Sequence, residues 1–300
     1  MNMTHFNAAP TVSAPSISSA SMLVELSISV WTARKKDRSA TADVLSQNHA
    51  VSSAGNFNKN LLADCDELVA LQKFASNART AHYHMTMPWS DMGMRLLPTA
   101  KYFDYHKAMT ALHGEFNKLV DKFLATYDWE VMQQQAKLGT LFDRDEYPTV
   151  DQLRRKFSFN LSYTPVPDVG DWRVDIENDA VVALREQYST FYQTQMERAM
   201  RDVWERLHTE VSRFINQLSI DAEGKKGKIY ESTIEHVVHL TDMLEAANFT
   251  NDPSLQLAQR RLKSALHGVD RDTLVRNEDV RAETKRAMEE AIKALPSLDM

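Results

Sequence analysis

The chain has a single cysteine, Cys65, and eight glycines in 300 residues. One thiol excludes an internal disulfide framework and fits a reducing compartment. Scarce glycine beside 14 methionines argues against a turn-rich β architecture and for helices built from straight-chain residues. No apolar run approaches the roughly 20 residues that span a bilayer. The longest, MLVELSISVW (Met22–Trp31), is interrupted by Glu25. The N-terminus lacks the basic-then-apolar order of a secretory leader. These absences predict a soluble intracellular protein with no membrane association. A formal charge of −6 argues against a dedicated nucleic-acid binder, though not against a local basic face. There is no Walker A loop, GxGxxG or GxSxG, which argues against nucleotide chemistry by those loops and against the nucleophile elbow.

The 43% hydrophobic content suffices for a sizeable core. Residues 1–21 are Ala, Ser, Thr, Pro and Asn without period, which predicts a disordered tail. Met22, Val24, Leu26, Ile28 and Val30 alternate with Leu23, Glu25, Ser27 and Ser29, which predicts a half-buried strand. ARKKDRS reads as a charged turn, and Thr41 as the N-cap of a short helix. From Asn60 the apolar spacing turns helical, through Leu61, Leu62, Cys65, Leu68, Val69, Leu71, Phe74, Ala75 and Ala78, to about His84. In HYHMTMPWSDMGMRLLP, Pro88 ends that helix, Trp89 anchors a corner, Gly93 allows a turn and Pro98 opens the next helix. That helix carries Tyr105, Met109, Leu112, Phe116, Leu119, Phe123 and Tyr127 on one stripe, to about Gly139. KFSFNLSYTPVP (Lys156–Pro167) alternates as a second strand, and Trp172, Val174 and Ile176 suggest a third.

The longest pattern runs from Glu177 to about Asp221, with apolar residues mostly four apart from Leu184 and Tyr188 to Leu218. A helix of that length spans about 60 Å and needs a partner. The 98–139 helix is the intramolecular choice. A second copy, meeting Tyr192, Met196, Met200, Val203, Leu207 and Val211, is the other. Helices are expected at 229–248, 253–267 and 270–295, with Asp252-Pro253 and Asp270 as starts and Gly268 as a stop. The fold class is mostly α with a small antiparallel sheet: a tail (1–21), a strand–helix–helix–strand region (22–176) and a helical region (177–300), the last two being one domain or two.

Candidate sites are sparse. His82 and His84 could reach one metal only from a strand, with His106 or Asp91 as a third ligand; on a helix they diverge. Glu205-x-x-His208 lacks the second motif of a di-metal bundle, and His236 and His239 lack a third ligand. Cys65 lies in line with core leucines and reads as a small core residue. Basic clusters at Arg34, Lys35, Lys36 and Arg38, at Arg154, Arg155 and Lys156, and at Lys225, Lys226 and Lys228 remain. The first two flank the strands. With Trp31, Phe157 and Tyr163 they could form a single-strand platform. Charged strand ends around core aromatics are the plainer reading. No cofactor and no catalytic residue is expected.

LSISVWTARKKD (Leu26–Asp37), SAGNFNKNLL (Ser53–Leu62), ARTAHYHMTMPWSDMGMRLLP (Ala78–Pro98), FSFNLSYTPVPDVGDWRVDI (Phe157–Ile176) and AMRDVWERLH (Ala199–His208) resemble, in order and spacing, an uncharacterised family of tailed-bacteriophage proteins. Phages and mobile elements carrying that family often also carry a MoxR-type AAA ATPase and a von Willebrand A-type protein. The resemblance implies an accessory role in the cytoplasm of the infected host and transfers no site residue. The expectation is a non-enzymatic assembly or adaptor protein, a homo-oligomer or the partner of a phage protein such as that ATPase. The alternative is a single-stranded nucleic-acid accessory of replication or recombination.

Overall fold

The computed structural model describes residues 20–91, 93–166, 178–220, 224, 226–248 and 253–293. The expected tail, through residue 19, the expected third strand at Trp172–Ile176 and Lys225 lie outside them. The fold is α+β, with long helices and a small antiparallel sheet. Its strands are β1 (Ser21–Ser29), β2 (Arg34–Lys36), β3 (Asn58–Asn60), β4 (Met87–Pro88), β5 (Arg95–Pro98) and β6 (Ser158–Pro165). Its helices are α1 (Arg38–Gln47), α2 (Asp66–His84), α3 (Tyr102–Leu138), α4 (Val150–Arg154), α5 (Asn178–Leu218), α6 (Glu231–Ala247), α7 (Pro253–Leu266), α8 (Arg271–Arg276) and α9 (Glu278–Lys293).

Two compact units result. They do not follow the 22–176 and 177–300 segments, because three stretches of chain build the first: up to Glu25, Met85–Asp104, and Tyr163 onward. The second combines Leu26–His84 with Tyr105–Ser162.

The first unit is a helical layer on a sheet edge. Val203, Leu207, Val211 and Phe214 of α5 are fully buried with Val237, Ala258, Leu274 and Met288 of the C-terminal helices, and with Met87 and Leu96. Burying each large side chain is worth about 1.5–3 kcal/mol. Within the first unit the neighbours of α5 are therefore α6, α9 and β4. The strand order is β4-β5-β1-β6. β5 runs antiparallel to β1, Ser21 opposite Pro98, and β4 to β5, Met87 opposite Leu96. The expected corner is thus a β-hairpin. Its turn closes by Ser90 N–H donating to the Met94 carbonyl, and Gly93 takes φ +97°, which favours glycine. Trp89 is buried as expected, 5.7 Å from the Tyr192 ring. Pro98 closes β5 and is also the N-cap of a 3₁₀ turn over 99–101 that leads directly into α3. The chain after Gly268 forms two helices, broken at Asn277, in place of one over 270–295. Asp270 caps the first, accepting from Thr273 N–H at 2.7 Å.

The second unit packs α2 against α3. Leu68, Leu71, Ala75 and Ala78 meet Phe116, Phe123 and Tyr127, with Ile28 and Phe159 from the strands. The stripe of α3 reads as expected, Leu112 and Leu119 being half-buried; Val69 alone of the α2 set is exposed. The charged turn after β1 is instead a short ribbon, β2 paired with β3. Asp37, not Thr41, caps α1: its carboxylate accepts from Ala40 N–H at 2.9 Å. Thr41 Oγ1 accepts from Phe57 N–H and so anchors the incoming chain. Leu23 is buried as well as Val24, so the start of β1 is covered on both faces.

Candidate functional site

The expected sites disperse. His82 is buried, and its Nδ1 lies 2.7 Å from the Tyr105 hydroxyl, both on helices of the second unit. His82, His84 and His106 do not converge on one ion among the described residues. Asp91 is exposed in the hairpin turn. Arg34, Lys35 and Lys36 lie exposed on β2, in the ribbon and not the larger sheet, and Arg38 is exposed at the start of α1. Lys35 pairs with Glu146 at 3.5 Å. Arg154 and Arg155 are exposed, and Arg154 pairs with Asp121 at 2.9 Å. The rings expected to stack bases are half-buried against other rings: Trp31 edge-on to Tyr127, Phe157 to Phe123, Tyr163 to Tyr102. The α5 stripe is also occupied. Val203, Leu207 and Val211 are wholly buried, so they cannot face a second copy; Tyr192, Met196 and Met200 pack, half-buried, on the same core.

Two features of the second unit stand where sequence reading found none. The first lies where the chain enters α2. Residues 61–64 form a turn, with Asp64 at φ +54°. Gln134, fully buried on α3, grips it from both sides, accepting from Ala63 N–H at 3.0 Å and donating to the Ala63 carbonyl at 3.1 Å. Lys137 donates to the Ala63 and Asp64 carbonyls. These bonds fix the turn that ends at Cys65, just before the first residue of α2. Four residues before Gln134, on the same face of α3, is Glu130. It is 6% exposed and, among the described residues, has no hydrogen-bond or ion-pair partner. The Cys65 sulfur and carboxylate oxygens of Glu67 and Glu130 all lie within 4.8 Å of one another. Burial pushes the Glu130 carboxyl up, opposed by Lys137 and helped by Glu67 and Asp66. Burial also pushes the Cys65 thiol up, opposed by the Leu68 N–H and helped by Glu130 and Glu67. Both shifts disfavour negative charge in a site lined by three potential anions.

The sequence signal was available: Glu130 and Gln134 interrupt an apolar stripe between Tyr127, Val131 and Leu138. What it could not supply was the partner, 65 residues upstream.

The second feature is on the outside of the same helix stretch. Trp129 is 57% exposed and Met132 is 66% exposed, three residues apart and so neighbours on one face. Large apolar side chains held in water on a rigid helix are the residue types that anchor protein interfaces.

No curated protein and no solved structure matches the chain. Residues 19–284 match the family described as "Protein of unknown function (DUF3150)". That match spans most of the sequence, and the chain belongs to the DUF3150 family.

Proposed function

We propose that this protein is a non-enzymatic accessory protein of a tailed bacteriophage, acting through protein–protein contacts as a homo-oligomeric assembly or adaptor in the host cytoplasm. The carrying observation is the exposed pair Trp129 and Met132 on α3. A patch of this kind can meet its own copy across a two-fold axis, residue for residue. It replaces the α5 stripe as the contact surface, since that stripe is occupied within the chain. The resemblance to phage proteins makes a phage AAA ATPase the natural second partner of such an adaptor. No helix among the described residues is long and apolar enough to cross a membrane.

Light scattering on a sizing column tests the reading. The expected mass is a multiple of 34.2 kDa that persists on dilution and falls to 34.2 kDa in Trp129→Ser/Met132→Ser. A wild-type monomer at every concentration, or an oligomer untouched by the double substitution, overturns the homo-oligomeric form.

Nucleic-acid binding has one observation in its favour. Among the described residues, Arg34, Lys36, Arg38 and Arg155 have no carboxylate partner. On that reading, single-strand binding falls steeply with salt. Replacing these four by Ala must then weaken it, and unchanged binding removes its basis.

A further inference from the structure

We propose that Cys65, Glu67 and Glu130 hold one divalent, thiolate-accepting cation of the zinc class, bridging the first turn of α2 and the buried face of α3. The donor set is one soft sulfur and two carboxylates, a combination zinc accepts. Their ligand atoms already lie within 4.8 Å of one another. Glu130 is the decisive residue. Glu130, 6% exposed as a residue and without a hydrogen-bond or ion-pair partner among the described residues, brings its carboxylate beside the Cys65 sulfur. Buried carboxylates without partners are costly, and a cation is the partner that would remove that cost. The one ammonium exerting a pull on it, Lys137, is hydrogen-bonded to the Ala63 and Asp64 carbonyls. Glu67 is the adjustable ligand. It sits in the first turn of α2 and makes a loose 3.7 Å pair with Lys122, whose side chain is 68% exposed and free to move away.

The surroundings are rigid where a metal site needs rigidity. Gln134 and Lys137 fix the turn that carries Cys65. Three protein ligands leave a fourth position of the tetrahedron for water. The ion would join helices of one unit and stabilise that unit on binding.

The test uses the full chain purified without chelators, then stripped and titrated with cobalt(II) as the probe. The expected result is one cobalt per chain with a near-ultraviolet thiolate-to-cobalt band, and a melting temperature that rises when zinc is added. Cys65→Ser should abolish the band. Glu67→Gln lies at the surface and should leave the fold intact while weakening cobalt binding by at least about tenfold, as loss of metal-site partners does. Binding that is absent in the wild type, lacks the thiolate band, or is unchanged in Glu67→Gln overturns the proposal.

Discussion

Lys59 should be the most sensitive surface-distant charge in the second unit. Its side chain is 4% exposed, and its ammonium touches Glu146 at 2.6 Å, the Leu141 carbonyl at 2.8 Å and Asp37 at 3.1 Å. It therefore ties β3 to the cap of α1 and to the two 3₁₀ turns after α3, Gly139–Leu141 and Arg144–Glu146. Desolvation alone would lower the ammonium pKa, but Glu146 and Asp37 outweigh it and hold it above the usual lysine value. A raised folded pKa means a stabilising contribution fully present below the unfolded value, about 10.4, and lost only as pH rises through the folded one. At neutral pH the contribution is complete. Lys59→Met keeps most of the volume and removes the charge, so the packing cost is small. What is left is a carbonyl without its donor, Asp37, 14% exposed, without its cation, and Glu146, 13% exposed, with only the looser 3.5 Å pair to Lys35. Breaking such a buried pair costs about 3–5 kcal/mol. Urea unfolding followed by circular dichroism at pH 7 measures it. Adding Glu146→Gln to Lys59→Met should restore part of the loss, because a carboxylate left with only the 3.5 Å pair to Lys35 is removed. A loss below about 1 kcal/mol, the scale of an exposed pair, would refute the reasoning.

Arg281 is 2% exposed and donates to the Leu218, Gln217 and Gly227 carbonyls at 2.8, 2.6 and 2.8 Å. Arg281→Met should cost roughly 3–5 kcal/mol in urea unfolding, and Arg281→Lys should fail to recover it, since one ammonium cannot reproduce the guanidinium fork. A Cβ at Gly227 would sit 2.5 Å from the Gln217 carbonyl oxygen, so Gly227→Ala should cost about 1–3 kcal/mol by forcing the turn off α5. Glu130→Gln should stabilise the metal-free protein at pH 7, read as a higher urea midpoint in EDTA. The folded carboxyl is raised, so ionising it at pH 7 works against the fold; below about pH 4 it is protonated in both states and the advantage should vanish. A lower midpoint at pH 7 would contradict that sign.

The parts of this fold legible in sequence are those with a long period. α2, α3 and α5 each carry enough turns for their apolar spacing to stand out, and β1 and β6 alternate over eight or nine residues. The elements missed are β2 to β5, of two to four residues, too short to show any period. Their existence rests on pairing with distant strands, as when Ser21 meets Pro98. The α5 stripe was legible as a buried face but not as to what buries it. Periodicity states that a face is apolar, not which neighbour covers it. The candidate cation site was hidden for a related reason. Cys65 continues the apolar line into α2, and only the packing of α3 brings Glu130 to it.

A chain with eight glycines must end its helices by other means. Gly139, at φ +54°, and Gly268, at φ +69°, close α3 and α7 in the ordinary left-handed way. Elsewhere long polar side chains from distant elements meet the carbonyls that a glycine turn would have satisfied within the backbone. Arg281 reaches the end of α5, Lys59 the 3₁₀ turn after α3, Gln134 and Lys137 the entry to α2, Arg79 the end of β1 at Ile28, and Arg271 the Ile229 carbonyl. Buried carbonyls need such donors, because leaving one without a partner costs as much as a lost hydrogen bond. The donors come from 42 to 82 positions away. The turns of this protein are thus specified by tertiary contacts, whereas its helices are specified by their own periodicity. A substitution at one of these cations should therefore shift a connection while its own helix stays formed. Lys59→Met and Arg281→Met should lower stability with little change in helical signal before the unfolding transition.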